Sequence, residues 1–391
     1  MTPELQKEIN AAIDRGAAWL KKQRSGDGMF DAILFNGQPR HEIGLASLCG
    51  LALLATGEAK NDPGMLRTLE ALKKRDVADA TNGTRSTYGA GCLLMFITEM
   101  YRPEYKPEKD AGRYAKAKLK DPCGLPKDML AWVQDLASWL VDKQLDDGLW
   151  RYPVSPPGDL SNTQYALLGL RAARDCGAAV PASKFLKTLE RMLGAQEPDG
   201  PKHKRIIVGT GKPGETDYAV DSGDRARGFD YLGTHTGSIS GSMTTAGIAS
   251  LAICRDALLK PERFSAYSDE LDRKVQRSVQ DGFAWLDLHF AVDKNPGRDA
   301  PNWHYYYLYG LERACVFGGR ELIGKHDWYG ESAAYLVKQQ KPDGSWNTGS
   351  VGAIREVSPS DICDTAWALL ILKRATRPVI PVPAPVVTSG G

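Results

Sequence analysis

The run Asp361-Ile362-Cys363-Asp364-Thr365-Ala366 sets two carboxyl groups and a thiol within four positions at the head of an apolar segment. Carboxyls donate and accept protons. On an apolar helix such a group must face a cavity or be held by a hydrogen-bond partner, because burying it alone is prohibitive. Asp361, Cys363 and Asp364 are therefore the candidate catalytic set. Asp361 also has a structural reading, since Ser358-Pro359-Ser360-Asp361 resembles a helix start with Pro in the first turn and an acid behind it. Asp and Cys ligate zinc as well, and His304 or His41 would have to complete that site. Three scattered residues are a weaker signal than a compact ligand motif, so no metal and no cofactor is assigned.

Other polar and aromatic residues cluster at the heads of similar segments. His41-Glu42 reads either as a rim acid–base pair or as a helix start favoured by the dipole. Ser161-Asn162-Thr163-Gln164 has the Ser and Gln of a capping box, yet Asn162 and Gln164 can also point at a ligand. Trp303-His304-Tyr305-Tyr306-Tyr307-Leu308-Tyr309 puts aromatics on every side of one helix, more hydroxyls than packing alone explains. Trp303, His304, Tyr305 and Tyr306 are candidate binding residues, with Tyr88 a further one of the same kind.

The elements that carry these residues repeat. Trp19-Leu20 precedes Asp27-Gly28, Trp139-Leu140 precedes Asp147-Gly148 and Tyr335-Leu336 precedes Asp343-Gly344, with nine positions from aromatic to Gly each time. A Gln follows each aromatic pair and an aromatic follows each Gly in all three. A fourth copy at Gln196-Glu197-Pro198-Asp199-Gly200 lacks its aromatic end, which is expected to return at Gly228-Phe229-Asp230-Tyr231 after an insertion. Each copy predicts an amphipathic helix closed by a left-handed Gly.

Between these helices lie segments apolar on nearly all sides, at 41–56, 86–101, 160–173, 241–257, 302–317 and 360–375. Such helices must be surrounded by protein. Their more charged partners, near 4–23, 65–74, 128–144, 183–196, 271–290 and 328–340, suit a solvent-facing layer. Six of each, alternating, satisfy every apolar face as an inner and an outer ring. The expected fold is all-α, an (α/α)6 toroid over residues 1–376 with a central cavity. Residues 201–240 are expected to form a rim insertion, including a hairpin tip at Gly209-Thr210-Gly211-Lys212, and 377–391 a flexible Pro- and Gly-rich tail.

The repeats resemble the QW-type repeats of the prenyltransferase and squalene-cyclase superfamily over about residues 4–376. Asp361-Ile362-Cys363-Asp364-Thr365-Ala366 is similar to that superfamily's class II terpene cyclase motif, Asp-x-Asp-Asp-Thr-Ala, whose central Asp protonates an alkene or epoxide. Here Cys363 stands at that position. A thiol is weaker as a proton donor by roughly four to five pKa units, about 6 kcal/mol. The resemblance implies an isoprenoid-binding enzyme acting on a prenyl or terpenoid chain. Asp364 would serve for acid–base work or orientation, and Cys363 as a modulator. An aromatic wall suits such a chain, because aromatic faces stabilise developing cations. The alternative is a non-catalytic binding or scaffold protein that keeps the toroid. An inverting glycosidase would instead need two carboxylates across the cavity, such as Glu42 and Asp364.

The partner expected from the aromatic helix and the resemblance is a hydrophobic small molecule, and composition gives no case for a charged macromolecule. With 50 Lys+Arg against 48 Asp+Glu, the chain carries no basic run to hold nucleic acid or an anionic membrane. No apolar stretch approaches a membrane span. The start of the chain lacks the pattern of a signal peptide, and the seven separated cysteines read as buried free thiols, so the cytoplasm is the expected location.

Overall fold

The computed structural model describes residues 1–30, 33–35, 38–102, 123–152, 156–208, 216–260, 262–298, 303–347 and 361–383. Among them are twelve helices that alternate between two layers. The outer helices are α1 (Pro3–Lys22), α3 (Pro63–Asn82), α5 (Lys127–Asp142), α7 (Ala182–Ala195), α9 (Asp269–Leu288) and α11 (Trp328–Gln339). The inner ones are α2 (Glu42–Thr56), α4 (Thr87–Tyr101), α6 (Leu160–Asp175), α8 (Gly241–Leu259), α10 (His304–Gly318) and α12 (Asp361–Leu372). Each inner helix packs on the next, and α12 packs back on α2, so the ring closes. The expected all-α toroid is observed. α3 runs on past the expected end at residue 74, where buried Asp76 accepts hydrogen bonds from Arg85 and from Trp132 Nε1.

The repeated Gln, Asp, Gly and aromatic have separate tasks in joining the layers. Asp147 Oδ1 accepts from Leu149 N and Asp343 Oδ1 from Ser345 N, which shapes the turn. Gly148 and Gly344 have φ of 85° and 96°, and a Cβ there would lie 2.9 Å from Lys187 O and 2.7 Å from Arg15 O. Only Gly adopts that conformation without strain and lets the turn seat on the backbone of the next outer helix. Gln144 Nε2 donates to Gly148 O and Lys184 O, and Gln340 Nε2 to Gly344 O and Ala12 O. The last turn therefore docks on α1 and closes the outer ring. Trp150 and Trp346 are wholly buried, with Nε1 donating to Leu140 O and Leu336 O. The helices themselves stop earlier, at Asp142 and Gln339, so these glycines form turns beyond the helix ends and are not the caps the sequence suggested.

The fourth copy is completed as expected. Gln196 bridges to Phe229, whose backbone N bonds Thr244 Oγ1, just as Trp150 N bonds Thr163 Oγ1 and Trp346 N bonds Thr365 Oγ1. Within the insertion, β3 (Lys202–Ile207) and β4 (Tyr218–Arg225) pair antiparallel. That hairpin lies against outer helix α9, fixed by Asp224 to Arg205 and Arg277, instead of covering the rim. Among the described residues its continuation meets an inner-helix start, where Leu160 N donates to Tyr231 O. The expected tip at 209–212 lies outside the described residues. A shorter pair, β1 (Ile33–Phe35) and β2 (Gln38–Arg40), precedes α2.

Two further expectations are corrected. Residues 377–383 are packed, not flexible: Val379 and Val382 are buried, Arg377 pairs with Glu99, and Ile380 N donates to Asp256 Oδ1. Their apolar side chains and bonded backbone hold them across the C-terminal ends of the inner helices; residues 384–391 lie outside the described set. Cys123 and Cys176 form a disulfide, whereas Cys49, Cys92, Cys254, Cys315 and Cys363 are free and buried. No helix is long and apolar enough to cross a membrane among the described residues.

Candidate functional site

Helix α10 turns one stripe to the ring axis, spaced by three and four positions as a helix face requires: Tyr306, Tyr309 and Arg313. Tyr306 Oη lies 3.0 Å from Ser161 Oγ and accepts from Gln164 Nε2. Its ring centroid is 6.3 Å from that of Tyr165, stacked, and 5.5 Å from that of Trp367. Tyr165 meets Tyr88 edge-on at 4.7 Å. Four inner helices thus send aromatic rings to one column. Below them the Arg313 guanidinium sits 3.9 Å over the Tyr309 ring and donates from Nη2 to Gln164 Oε1 at 3.1 Å.

The centre is filled, which corrects the expected hollow. A ligand-sized void among the rings would leave surface on its lining, yet Tyr165 is 2%, Tyr306 6% and Trp367 3% exposed. Large rings from facing helices reach past the axis and interlock. Burial pushes the Tyr306 and Tyr309 phenols up to about 12, so both are neutral hydrogen-bonding groups at neutral pH.

The catalytic candidates do not meet at one point. Asp361 is at the surface, its carboxylate 3.2 Å from Lys341 Nζ and bonded by Asn347 Nδ2. The cap expected at 358–360 lies outside the described residues. Cys363 shares the axial face of α12 with Trp367, four residues on, and burial raises its thiol well above the ordinary value, so it stays protonated. Asp364 is wholly buried one position round the helix, toward α10, near enough that its charge adds to burial in raising Tyr305.

The binding candidates divide. Gln164 and Tyr306 are on the axis, and Tyr88 joins them from α4. Asn162 is buried, but its Nδ2 is spent on Asp159, 2.9 Å to Oδ2. Asp159, not Ser161, caps α6, accepting from Asn162 N at 2.7 Å. Glu42 pairs with Arg75 Nε at 3.4 Å. His304 also points away from the axis: Nε2 lies 2.9 Å from Val292 O and the ring sits between Tyr305 and Tyr335. Burial lowers its proton affinity. Tyr305 lies beside it, facing α11 and α12 more than the axis. His41 packs on Tyr88 and Tyr152 at the rim. Among the described residues no group of His, Cys, Asp and Glu is placed to hold a metal ion. His41 and Trp303, at φ of 59° and 61°, both hold the left-handed backbone just before an inner helix. For a bulky Trp that conformation is an outlier, and strain of this kind concentrates at functional rims. Trp303 is 38% exposed and edge-on to Tyr306 at 6.1 Å.

Sequence reasoning missed Asp159, Tyr165, Trp367 and Arg313. Burial raises the Asp159 carboxyl, with Tyr231 and Asn162 beside it. Its signal was the preference of Asp for the position before a helix. Arg313 was marked by standing, next to Glu312, inside a helix that had to be buried, where Arg is rare.

No protein-family model matches the chain, and neither does any curated protein. Among solved structures, the apo form of a variant of the type II terpene cyclase MstE from Scytonema is similar over 96% of this chain and 99% of that one, with a TM-score of 0.56 and 12% identity. An inactive variant of the alpha-1,6-mannanase GH76A of Salegentibacter sp. HEL1_6, in complex with alpha-1,6-mannotriose, covers 94% of this chain and 99% of its own, with a TM-score of 0.53 and 10% identity. A second inactive variant of the mannanase, with alpha-1,6-mannotetrose, gives 0.52 at 10% identity, over 94% of this chain and 98% of its own. At these identities the likeness shows the fold alone: an all-α toroid that hosts unrelated chemistries.

Proposed function

We propose that the protein is an isoprenoid-handling enzyme whose aromatic column takes a prenyl or terpenoid chain. The observation that carries this reading is the convergence of Tyr88, Tyr165, Tyr306 and Trp367 from four inner helices on one axis. Of the two chemistries named for the similar structures, an oligosaccharide hydrolase needs paired carboxylates across the site. Glu42, the carboxylate expected opposite Asp364, is paired with Arg75, whereas apolar rings are what a prenyl chain requires. Asp364 is the acid–base group: its carboxyl would give a proton to an alkene carbon, the ring faces would stabilise the cation, and loss of a neighbouring C–H proton would restore the acid. Cys363, neutral and adjacent, shapes the site without donating the proton.

The rings interlock, so a chain must part them, starting at the exposed Trp303. The same packing, with a thiol at the acid position, favours the second reading, a scaffold or binding protein without chemistry. Incubation with geranylgeraniol followed by native mass spectrometry and product analysis separates the two. A 1:1 adduct weakened at least tenfold by Trp367→Ala, with isomerised product lost in Asp364→Asn, supports the enzyme. An adduct without product supports a binding protein, and no adduct ends the prenyl reading. The cytoplasm fits the five free buried thiols, and the Cys123–Cys176 disulfide weighs toward an oxidising compartment.

A further inference from the structure

At the C-terminal end of the inner ring lies a cavity of about 70 Å³, room for several waters or one tetrahedral oxyanion. Four arginines line it, Arg102, Arg171, Arg313 and Arg377, against two carboxylates, Glu99 and Asp175. Both acids are spent. Asp175 is 2.6 Å from Arg102, and Glu99 takes both its bonds from Arg377 at 2.7 Å. Among the described residues Arg171 has carbonyl partners, Arg377 O and Pro378 O, and stacks over Phe317. Arg313 is wholly buried, and its Nε and Nη1 have no hydrogen-bond acceptor among the described residues.

Helix C-termini welcome cations, and this accounts for arginines that donate to terminal carbonyls, as Arg171 does. It does not account for Arg313, whose guanidinium meets the rings of Tyr165 and Tyr309, the Tyr309 hydroxyl and the Gln164 amide oxygen, while Nε and Nη1 have no hydrogen-bond acceptor in the distance-and-angle sense among the described residues. A buried cation left so is strongly destabilising, and a bound oxyanion removes the penalty. Glu312, next in the chain, offsets the Arg313 charge only in part. Its carboxyl turns to Thr376 N and Oγ1, and burial pushes it up to about 7, so it is partly protonated at neutrality.

We propose that this cavity is an anion site, in which Arg313 and Arg171 bind a phosphate-type oxyanion. Two guanidinium groups with carbonyl and amide acceptors but no carboxylate bonded to them among the described residues match its charge of about −1.5 to −2 at neutral pH. The site does not rest on the prenyl reading: it lies at the far end of the ring from Trp303, although Gln164 and Tyr165 touch both Arg313 and the aromatic column. The anion is either free phosphate or the head of a larger phosphorylated molecule.

The test is isothermal titration and thermal melting of the whole protein with inorganic phosphate, inorganic diphosphate and geranyl diphosphate, against chloride at equal ionic strength. Saturable binding of at least one phosphate species, with a raised melting temperature, is expected. Affinity should fall at least tenfold in Arg313→Met, and also in Arg171→Met should the first variant fold poorly. Saturable binding of inorganic phosphate or diphosphate identifies a free anion as the ligand, and binding of geranyl diphosphate alone identifies a head group. The proposal is overturned if no phosphate species binds the wild-type protein beyond the chloride control, or if both variants bind as the wild type does. The geranylgeraniol experiment carries no charge and so fails or succeeds separately.

Discussion

Gln164 of α6 and Tyr306 of α10 share one hydrogen bond across the ring axis, and the other end of the Gln164 amide accepts from Arg313 Nη2 at 3.1 Å. One side chain thus fastens an aromatic ring above it to a buried cation below.

Replacing Gln164 by Leu keeps the volume but removes the amide oxygen that accepts from the guanidinium. Hydrogen bonds to charged groups are worth about 1.5–3 kcal/mol, so urea denaturation should show a loss of about 2 kcal/mol. With Arg313→Met already in place the same change should cost ~1 kcal/mol less, since the two residues are coupled. Purely additive losses would mean that the bond carries no energy.

Gly148 and Gly177 have nearly the same φ, 85° and 88°, but only Gly148 is seated on another helix. Alanine at either position suffers the left-handed conformation, about 1–2 kcal/mol. At Gly148 the added Cβ also meets Lys187 O at 2.9 Å. Gly148→Ala should therefore destabilise by ~1 kcal/mol or more beyond Gly177→Ala in paired chemical denaturation curves. Equal effects would refute the view that the turn is a docking point.

The ring itself was legible because its cause is local. A segment such as 241–257, apolar all round, has to be wrapped, and six such segments alternating with charged ones leave few arrangements. That same uniformity hid the site. A helix with no polar face does not reveal which residue meets the axis, so neighbours Tyr305 and Tyr306 were indistinguishable until packing sent one to α12 and the other to the centre. The cap of α6 was misplaced by two residues because Ser161 and Gln164 match a capping pattern that Asp159 pre-empts. The hollow was inferred from helix count, while the volume of four large side chains decided otherwise.

Matching Thr163 with Thr365, each bonded to its repeat's Trp backbone, sets Asp159 in the place of Asp361. The two equivalents have opposite surroundings. Asp159 is buried and holds Asn162 through its backbone N and Nδ2, whereas Asp361 is 40% exposed and meets Lys341. Asp159→Ala loses a helix cap and leaves a buried amide unpaired, a cost of about 2 kcal/mol net of the carboxylate's own desolvation. Asp361→Ala should cost at most ~1 kcal/mol, the worth of a solvated ion pair. Paired urea titrations decide, and a larger loss at Asp361 would contradict this assignment.

Thiol chemistry checks the disulfide directly. Under denaturing, non-reducing conditions five of the seven cysteines should react with iodoacetamide, and all seven after reduction. Mass spectrometry of peptides containing Cys123 and Cys176 should find them joined only in the first sample. Seven labelled cysteines without reduction would show both thiols free, and would remove the argument against a reducing compartment.

Glu312 makes stability depend on pH with a definite sign. Burial lifts its carboxyl from 4.5 to about 7, while Thr376 N and Oγ1, bonding the ionised form, only partly oppose it. The folded state therefore holds the proton more tightly than the unfolded one between these values. The contribution is complete below pH 4.5 and fades as pH rises toward 7, beyond which the charged form is buried at a cost. At 1.36 kcal/mol per unit the whole span is worth ~3 kcal/mol. Other buried carboxyls, Asp159 and Asp281, are raised as well and add slopes of the same sign, so wild type alone does not isolate the term. Glu312→Gln does, because it keeps the shape and cannot ionise. Denaturation at pH 5 and at pH 8 should show the wild type losing ~2–3 kcal/mol more than Glu312→Gln over that interval. Parallel losses would place the Glu312 carboxylate in a far more polar setting than its burial implies.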